Sequence, residues 1–183
     1  MTILWGIGIV VALLIIYTIS LYNKFIHLET GIENATSDID VQLKRRSDLI
    51  PNLIETVKGY ANFESSTLEK VIQARNQYIN AGSFADKAAA DNALSGALRQ
   101  LFALSESYPD LKANAGFLDL QNQLKELEDV IQNARRFYNA SVRDYTVLAK
   151  SFPSNIIAGI FGFGKKEFFE IAEAERAVPK VSF

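Results

Sequence analysis

The sequence predicts an all-α protein, with an N-terminal transmembrane helix followed by an antiparallel up-and-down four-helix bundle of long helices. Three observations predict it. Residues 3–21 are almost wholly Ile, Leu, Val, Ala and Gly, with no charged side chain between residues 2 and 23. Beyond them apolar residues recur every three or four positions, the period of a helix that buries one face. No stretch alternates with period two long enough to be a strand, and short connections between long helices make antiparallel neighbours.

The first element is the anchor, residues 1–23. About 20 apolar residues cross a bilayer core as a helix, and Trp5, Tyr17 and Tyr22 lie near the ends of the run, where aromatic side chains favour the membrane interface. A cleaved signal peptide is the rival reading. Such a peptide carries a basic leading region and a small-x-small cleavage site, and its apolar stretch is shorter, whereas only Met1 and Thr2 precede this one. Lys24 follows the run directly, with Lys44, Arg45 and Arg46 further on. The positive-inside rule therefore puts the C-terminal domain in the cytoplasm, although the rule is weak for long segments.

Residues 24–151 form the helical bundle. Phe25, Leu28, Ile32, Ala35, Ile39 and Leu43 make a first apolar stripe that runs on from the membrane helix. Asp48 stands three residues before Pro51, so it could cap a new helix whose first turn tolerates proline. A break near Ser47 is expected on that ground, and a single long helix kinked at Pro51 is the alternative. The second stripe runs from Ile50 through Val57, Tyr60, Glu64, Leu68 and Val71 to Tyr78, ending at Ala81-Gly82-Ser83. A third runs Leu94, Leu98, Leu101, Leu104 and Tyr108, closed by Pro109. The fourth is the most regular, from Phe117, Leu120 and Leu124 through Ile131 and Tyr138 to Tyr145, Leu148 and Phe152, stopped by Pro153. Sustained spacing of this kind packs helices side by side at shallow angles, as in bundles and coiled coils.

Residues 152–183 change character. Ile156, Ile157, Ile160, Phe161, Phe163, Phe168 and Phe169 crowd a segment punctuated by Gly159, Gly162 and Gly164 and by Lys165 and Lys166. It is too short to span a bilayer. It is expected to be an interaction tail, laid in the membrane interface with its lysines at the headgroups, or folded over the bundle end or a neighbouring subunit.

Composition removes whole classes of chemistry. The 183 residues contain no cysteine and one histidine, His27, so thiolate nucleophiles, iron–sulfur clusters, two-His zinc sites and paired Glu-x-x-His di-iron sites cannot be built within the chain. A net charge of −2 gives no basic footprint for nucleic acid. Gly159-Ile160-Phe161-Gly162-Phe163-Gly164-Lys165-Lys166 approaches a phosphate-binding loop, but Lys166 stands where Ser or Thr must hold magnesium and no strand enters it. His27 reads as an interfacial histidine. No catalytic, metal or cofactor-binding residue is assigned, and no cofactor is expected.

Polar residues interrupt the stripes around the expected first turn. Asp40, Gln42, Arg45, Arg46, Asp48 and Asn52, with Asn139 far along the chain, are expected to form a structural polar cluster. Polar groups kept near a core must find partners or cost roughly 1–3 kcal/mol each.

Certain blocks carry more than composition. Ile39-Asp40-Val41-Gln42-Leu43-Lys44-Arg45-Arg46-Ser47-Asp48-Leu49-Ile50-Pro51-Asn52, continuing to Lys58-Gly59-Tyr60, resembles the signature of the LemA family of bacterial membrane proteins. So do Ala134-Arg135-Arg136-Phe137-Tyr138-Asn139, Arg143-Asp144-Tyr145, Phe152-Pro153-Ser154-Asn155 and the closing Pro179-Lys180-Val181-Ser182-Phe183, which appear in family order. The resemblance implies a membrane-anchored antiparallel helical bundle and no enzymatic activity.

The function expected is a membrane-anchored structural or scaffolding protein of the bacterial inner membrane. Its partners would be the lipid bilayer and further copies of itself. The alternative is an adaptor that docks or regulates another membrane protein such as a protease. An enzyme is not expected.

Overall fold

The computed structural model describes residues 1–60 and 65–169, apart from the side chain of Thr2. Among the described residues every regular element is a helix: α1 (Thr2–Lys58), α2 (Ser65–Asn80), α3 (Phe84–Ser105), α4 (Pro109–Lys112), α5 (Ala115–Lys150) and α6 (Ser154–Phe161). The stretch from Ala61 to Glu64 and the closing block from Pro179 to Phe183 lie outside the described residues.

The apolar run and the first amphipathic stripe are one helix, and α1 passes Ser47 and Pro51 without a break. The expected start of a new helix at Asp48 is therefore wrong, and the reason is local. Proline has no N–H to give the carbonyl four residues back, which here belongs to Ser47. The Arg75 Nε donates to that oxygen at 3.1 Å, so the helix continues with the lost bond replaced. Asp48 caps nothing. It lies exposed in mid-helix, 2.9 Å from the Lys44 ammonium one turn back.

The second stripe is likewise not one helix. α1 ends at Lys58, where the Tyr60 N–H bonds back to the Val57 carbonyl at 3.0 Å, a tightened last turn of the kind that satisfies helix ends. Glycine at position 59 lowers the tendency to propagate further. α2 resumes at Ser65 and packs against α3 across the short turn that begins at Ala81. Ser83 caps α3: its Oγ accepts the Asp86 N–H at 3.0 Å and donates to the Asp86 carboxylate at 2.7 Å. Pro109 opens the single turn α4 rather than merely ending the helix before it, since its missing N–H costs nothing at a first turn. Asn114 starts α5, its Oδ1 accepting the Phe117 N–H at 2.9 Å while its Nδ2 donates to the Tyr60 hydroxyl at 3.0 Å.

Two compact units result. The first comprises Met1–Ser37 and Arg136–Phe168; the second comprises Asp38–Arg135 together with Phe169, the last described residue. In the first, Phe25, Ile32 and Ala35 of α1 and Tyr138, Val142 and Tyr145 of α5 are buried, with the Phe25 and Tyr145 rings edge to face at 5.8 Å. In the second, Ile50, Leu53 and Val57 of α1, Val71 of α2, Leu94, Leu98 and Leu101 of α3 and Phe117 and Leu124 of α5 form the apolar core. Each such side chain removed from water stabilises the fold by about 1.5–3 kcal/mol.

Candidate functional site

Inside the second unit four charged side chains converge from three helices. Arg46 of α1 and Asp91 of α3 are 3% and 1% exposed, and Arg135 of α5 is 8% exposed. The Arg46 Nη1 donates to Asp91 Oδ1 at 2.9 Å, to the Ser95 hydroxyl at 2.9 Å, and lies 2.6 Å from Glu128 Oε2. The other Asp91 oxygen accepts from Arg135 Nη2. Arg135 also donates to the Asn92 side-chain oxygen at 3.1 Å, and its guanidinium lies over the Phe169 ring, 4.4 Å from the centroid. Ser95 donates onward to Glu128 at 3.0 Å. Two cations face two anions, so the cluster is neutral as a set.

Helix periodicity explains the convergence. Arg46 sits three residues after Leu43 and four before Ile50, both buried; Asp91 sits three before Leu94; Arg135 sits four after Ile131. Each charge thus occupies a core position of an otherwise apolar stripe. Burial raises the Asp91 carboxyl above its ordinary value, against the pull of Arg46 and Arg135. Burial would raise Glu128 too, but Arg46 and the hydrogen bonds from Gln132 and Ser95 together outweigh it and hold that carboxyl below its ordinary value.

The predicted polar residues divide. Arg46 is the centre of the cluster. Asp40 is half-buried and takes the Lys87 ammonium at 2.8 Å. Gln42 is half-buried, whereas Arg45, Asp48 and Asn52 are exposed on α1. Asn139 lies half-buried on α5 in the first unit. An open cleft of about 230 Å³ beside Lys44, Ser47, Asp48, Tyr78 and Lys87 offers two ammonium groups, both already paired, with Asp48 and Asp40. Sequence reasoning missed Asp91, Ser95, Glu128 and Arg135 as partners. The signal was present, a charge on the buried stripe of three separate helices.

The first unit carries a different construction. After α6 the chain, without regular structure, lies as a strap over α1 and α5. The Phe163 ring stacks on Phe25 at 4.5 Å; the Tyr145 hydroxyl donates to the Gly164 carbonyl at 3.0 Å; Lys166 pairs with Glu29; and the Tyr138 hydroxyl donates to the Glu167 carbonyl at 2.8 Å. Gly162 makes the turn into the strap possible. Its φ of 75° is left-handed, and the Gly162 N–H and the Phe163 N–H, the latter at 3.0 Å, both bond back to the Ala158 carbonyl and close the helix. Of the predicted tail residues, Ile156, Ile160, Phe161 and Phe168 are exposed, and Ile157 and Phe163 are half-buried. Phe169 is buried in the second unit, edge to face with Phe84 at 5.3 Å. The glycine-rich stretch lies in α6 and the strap, with no strand entering it. His27 is exposed on α1, and among the described residues no three metal-binding side chains come together.

α1 is long and apolar enough to cross a membrane. Comparison with known proteins places these features in a family. The model of the LemA family matches residues 35–183. Protein LemA of Metamycoplasma hominis is 29% identical over 158 residues, covering 84% of this chain and 71% of that protein. Magnetosome protein MamQ 2 of Paramagnetospirillum magneticum is 25% identical over 175 residues, and magnetosome protein MamQ of Magnetospirillum gryphiswaldense 26% over 174. Each of those matches takes in 81% of this chain, which spans 64% of the magnetosome protein's length. The blocks that carry the sequence resemblance are those that build the structure: Arg46 and Arg135 meet on Asp91, and Tyr138 and Tyr145 hold the strap. This chain belongs to the LemA family.

Proposed function

We propose that the protein is a single-pass scaffold of the bacterial inner membrane, with its helical domain in the cytoplasm, assembling with further copies of itself and carrying no catalysis of its own. The observation that carries this reading is the continuity of α1. The apolar run and the core positions Phe25, Ile32 and Ala35 belong to one helix, so a membrane segment and a folded unit are joined without a linker. A tethered enzyme gains nothing from that stiffness, whereas a scaffold transmits position through it.

The long helices form an up-and-down four-helix bundle on this reading. Within the second unit the pairings support that order: Asp40 and Arg46 meet Lys87 and Asp91 in parallel sense, whereas Asp91 and Ser95 meet Arg135 and Glu128 in antiparallel sense. The charge cluster is structural, a set of mutually neutralised groups that fixes the register of three helices. Self-assembly is supported by large apolar side chains left in solvent on α5, among them Phe137 at 62% and Val147 at 58% exposure. None of the relatives' names denotes a reaction.

The test is the mass and polypeptide content of the complex extracted from cells in mild detergent. A homo-oligomer of the full chain is expected. A monomer, or a stoichiometric complex with a different protein, overturns self-assembly, and the second outcome makes the chain an adaptor.

A further inference from the structure

We infer that α6 is a second membrane anchor, a wedge that lies in the headgroup–acyl boundary of the leaflet from which α1 emerges and prefers anionic phospholipid. The inference rests on the reading of α1 as a membrane span.

The level of the bilayer follows from α1. Residues 3–21 rise roughly 27 Å at about 1.5 Å per residue, close to the ~30 Å of a hydrocarbon core. Tyr22 therefore stands at the boundary. The Phe161 ring meets Tyr22 edge to face at 5.0 Å, and Phe163 lies 5.6 Å from the same ring. The C-terminal end of α6 is thus fixed at the depth where the acyl region gives way to headgroups.

The outward surface of α6 suits that depth. Ile156 and Ile160 are one turn apart and share a face, 51% and 70% exposed, and Phe161 is 50% exposed. Its inner face is taken by Ser154 and Ala158, which are buried. In water these apolar side chains would gain nothing from their fixed position, whereas in the interface they continue the apolar surface of α1 outward from Tyr22. Lys24 and Lys165, both exposed, follow Tyr22 and Phe163 by two positions each, and Lys24 stands beyond the end of the apolar run. Cationic side chains at this level attract anionic headgroups. The strap keeps the wedge in register, since Tyr145, Glu29 and Tyr138 hold residues 164, 166 and 167 while Gly162 turns the chain. A second copy of the chain is the competing occupant. The direct contact with the ring at the end of the membrane run favours lipid.

The experiment uses the full chain in bilayers containing phospholipids brominated at shallow or deep acyl positions. Trp5 is the sole tryptophan and reports the anchor in the unsubstituted protein. In a Trp5→Phe background, Phe161→Trp reports the wedge, and Ile160→Trp gives an independent reading should the first variant fold poorly. At least twofold stronger quenching by shallow than by deep bromines is expected for both wedge reporters, with a blue-shifted emission. Lys24→Glu with Lys165→Glu should weaken that quenching in bilayers rich in anionic lipid and leave it unchanged in zwitterionic ones. If Trp5 is quenched but the wedge reporters respond only to an aqueous quencher, the wedge is wrong and the anchor stands. Blue-shifted emission without bromine quenching, lost on dilution into excess lipid, means a second copy covers α6 and overturns the inference. If Trp5 itself escapes bromine quenching, the anchor falls and the wedge with it.

Discussion

In the unit built from Asp38–Arg135 the decisive polar contacts are ionic and sealed, with Arg46 and Asp91 almost wholly out of water. In the unit built from Met1–Ser37 and Arg136–Phe168 they are phenol hydroxyls on backbone carbonyls, beside a Lys166–Glu29 pair that remains about 30% exposed. The two constructions fail differently. A buried charge left without its partner keeps the full cost of desolvation, whereas a neutral hydrogen bond near the surface can be replaced by water. The first kind joins three helices in the core; the second fastens a strap across α1 and α5.

Perturbations of graded size sharpen that contrast. Asp91→Ala leaves Arg46 and Arg135 facing each other without their shared anion, and a loss of about 3–5 kcal/mol is expected in chemical denaturation of the full chain in detergent. Arg75→Leu strands the Ser47 carbonyl opposite Pro51, and unfolding should show a cost of roughly 1–3 kcal/mol for that unmet acceptor. A loss below the scatter of the measurement would mean that water serves the carbonyl equally well.

The strap predicts a pH response. Tyr138 and Tyr145 titrate above the ordinary tyrosine value of 10.0, first because of burial and then because of the Glu167 and Glu29 carboxylates respectively. Lys166 titrates above 10.5, chiefly through its hydrogen bond to Glu29. In each case the folded state holds its proton more tightly than the unfolded chain. Their contribution is therefore fully present below the unfolded values and is lost as pH rises through the folded ones. Melting temperature should fall above pH 10, and the fall should be smaller in the Tyr138→Phe, Tyr145→Phe double variant. An equal fall in both proteins would place the alkaline sensitivity elsewhere. The smallest effect belongs to Asp48→Ala, since Lys44–Asp48 is an exposed pair one helical turn apart and such pairs contribute about 0.3–0.5 kcal/mol.

The expected role of Asp48 shows what local sequence reasoning can and cannot supply. Asp48 before Pro51 is a sound helix-start signal, and it misled because the partner of the Ser47 carbonyl, Arg75, lies 28 positions away. The apolar run was legible from its uncharged length, and the stripe of Phe25, Ile32, Ile39 and Leu43 because period alone places these residues on a buried face. The stripe from Ile50 to Tyr78 concealed the end of α1, since its spacing of three and four runs on in the sequence past Lys58, where the helix stops. Arg46 was singled out as polar near a core, yet its partner Asp91 could be reached only by asking which other stripes carry a charge. The strap was not legible, because Tyr138 and Tyr145 bond to backbone carbonyls and a carbonyl leaves no mark in a sequence.

On the proposed reading the Arg46, Asp91, Glu128 and Arg135 cluster holds helices in register and does no chemistry. Replacing all four together, Arg46→Met, Asp91→Leu, Glu128→Gln and Arg135→Met, removes every charge while keeping most of the volume, a change that is often neutral or stabilising by about 1–4 kcal/mol for a structural ion cluster. Thermal melting and complex size should be measured on the same detergent preparation. A melting temperature at or above that of the unsubstituted protein and an assembly of unchanged mass are expected. A variant that melts like the parent but has lost its assembly would contradict that reading, because the charges would then be needed for something other than the fold.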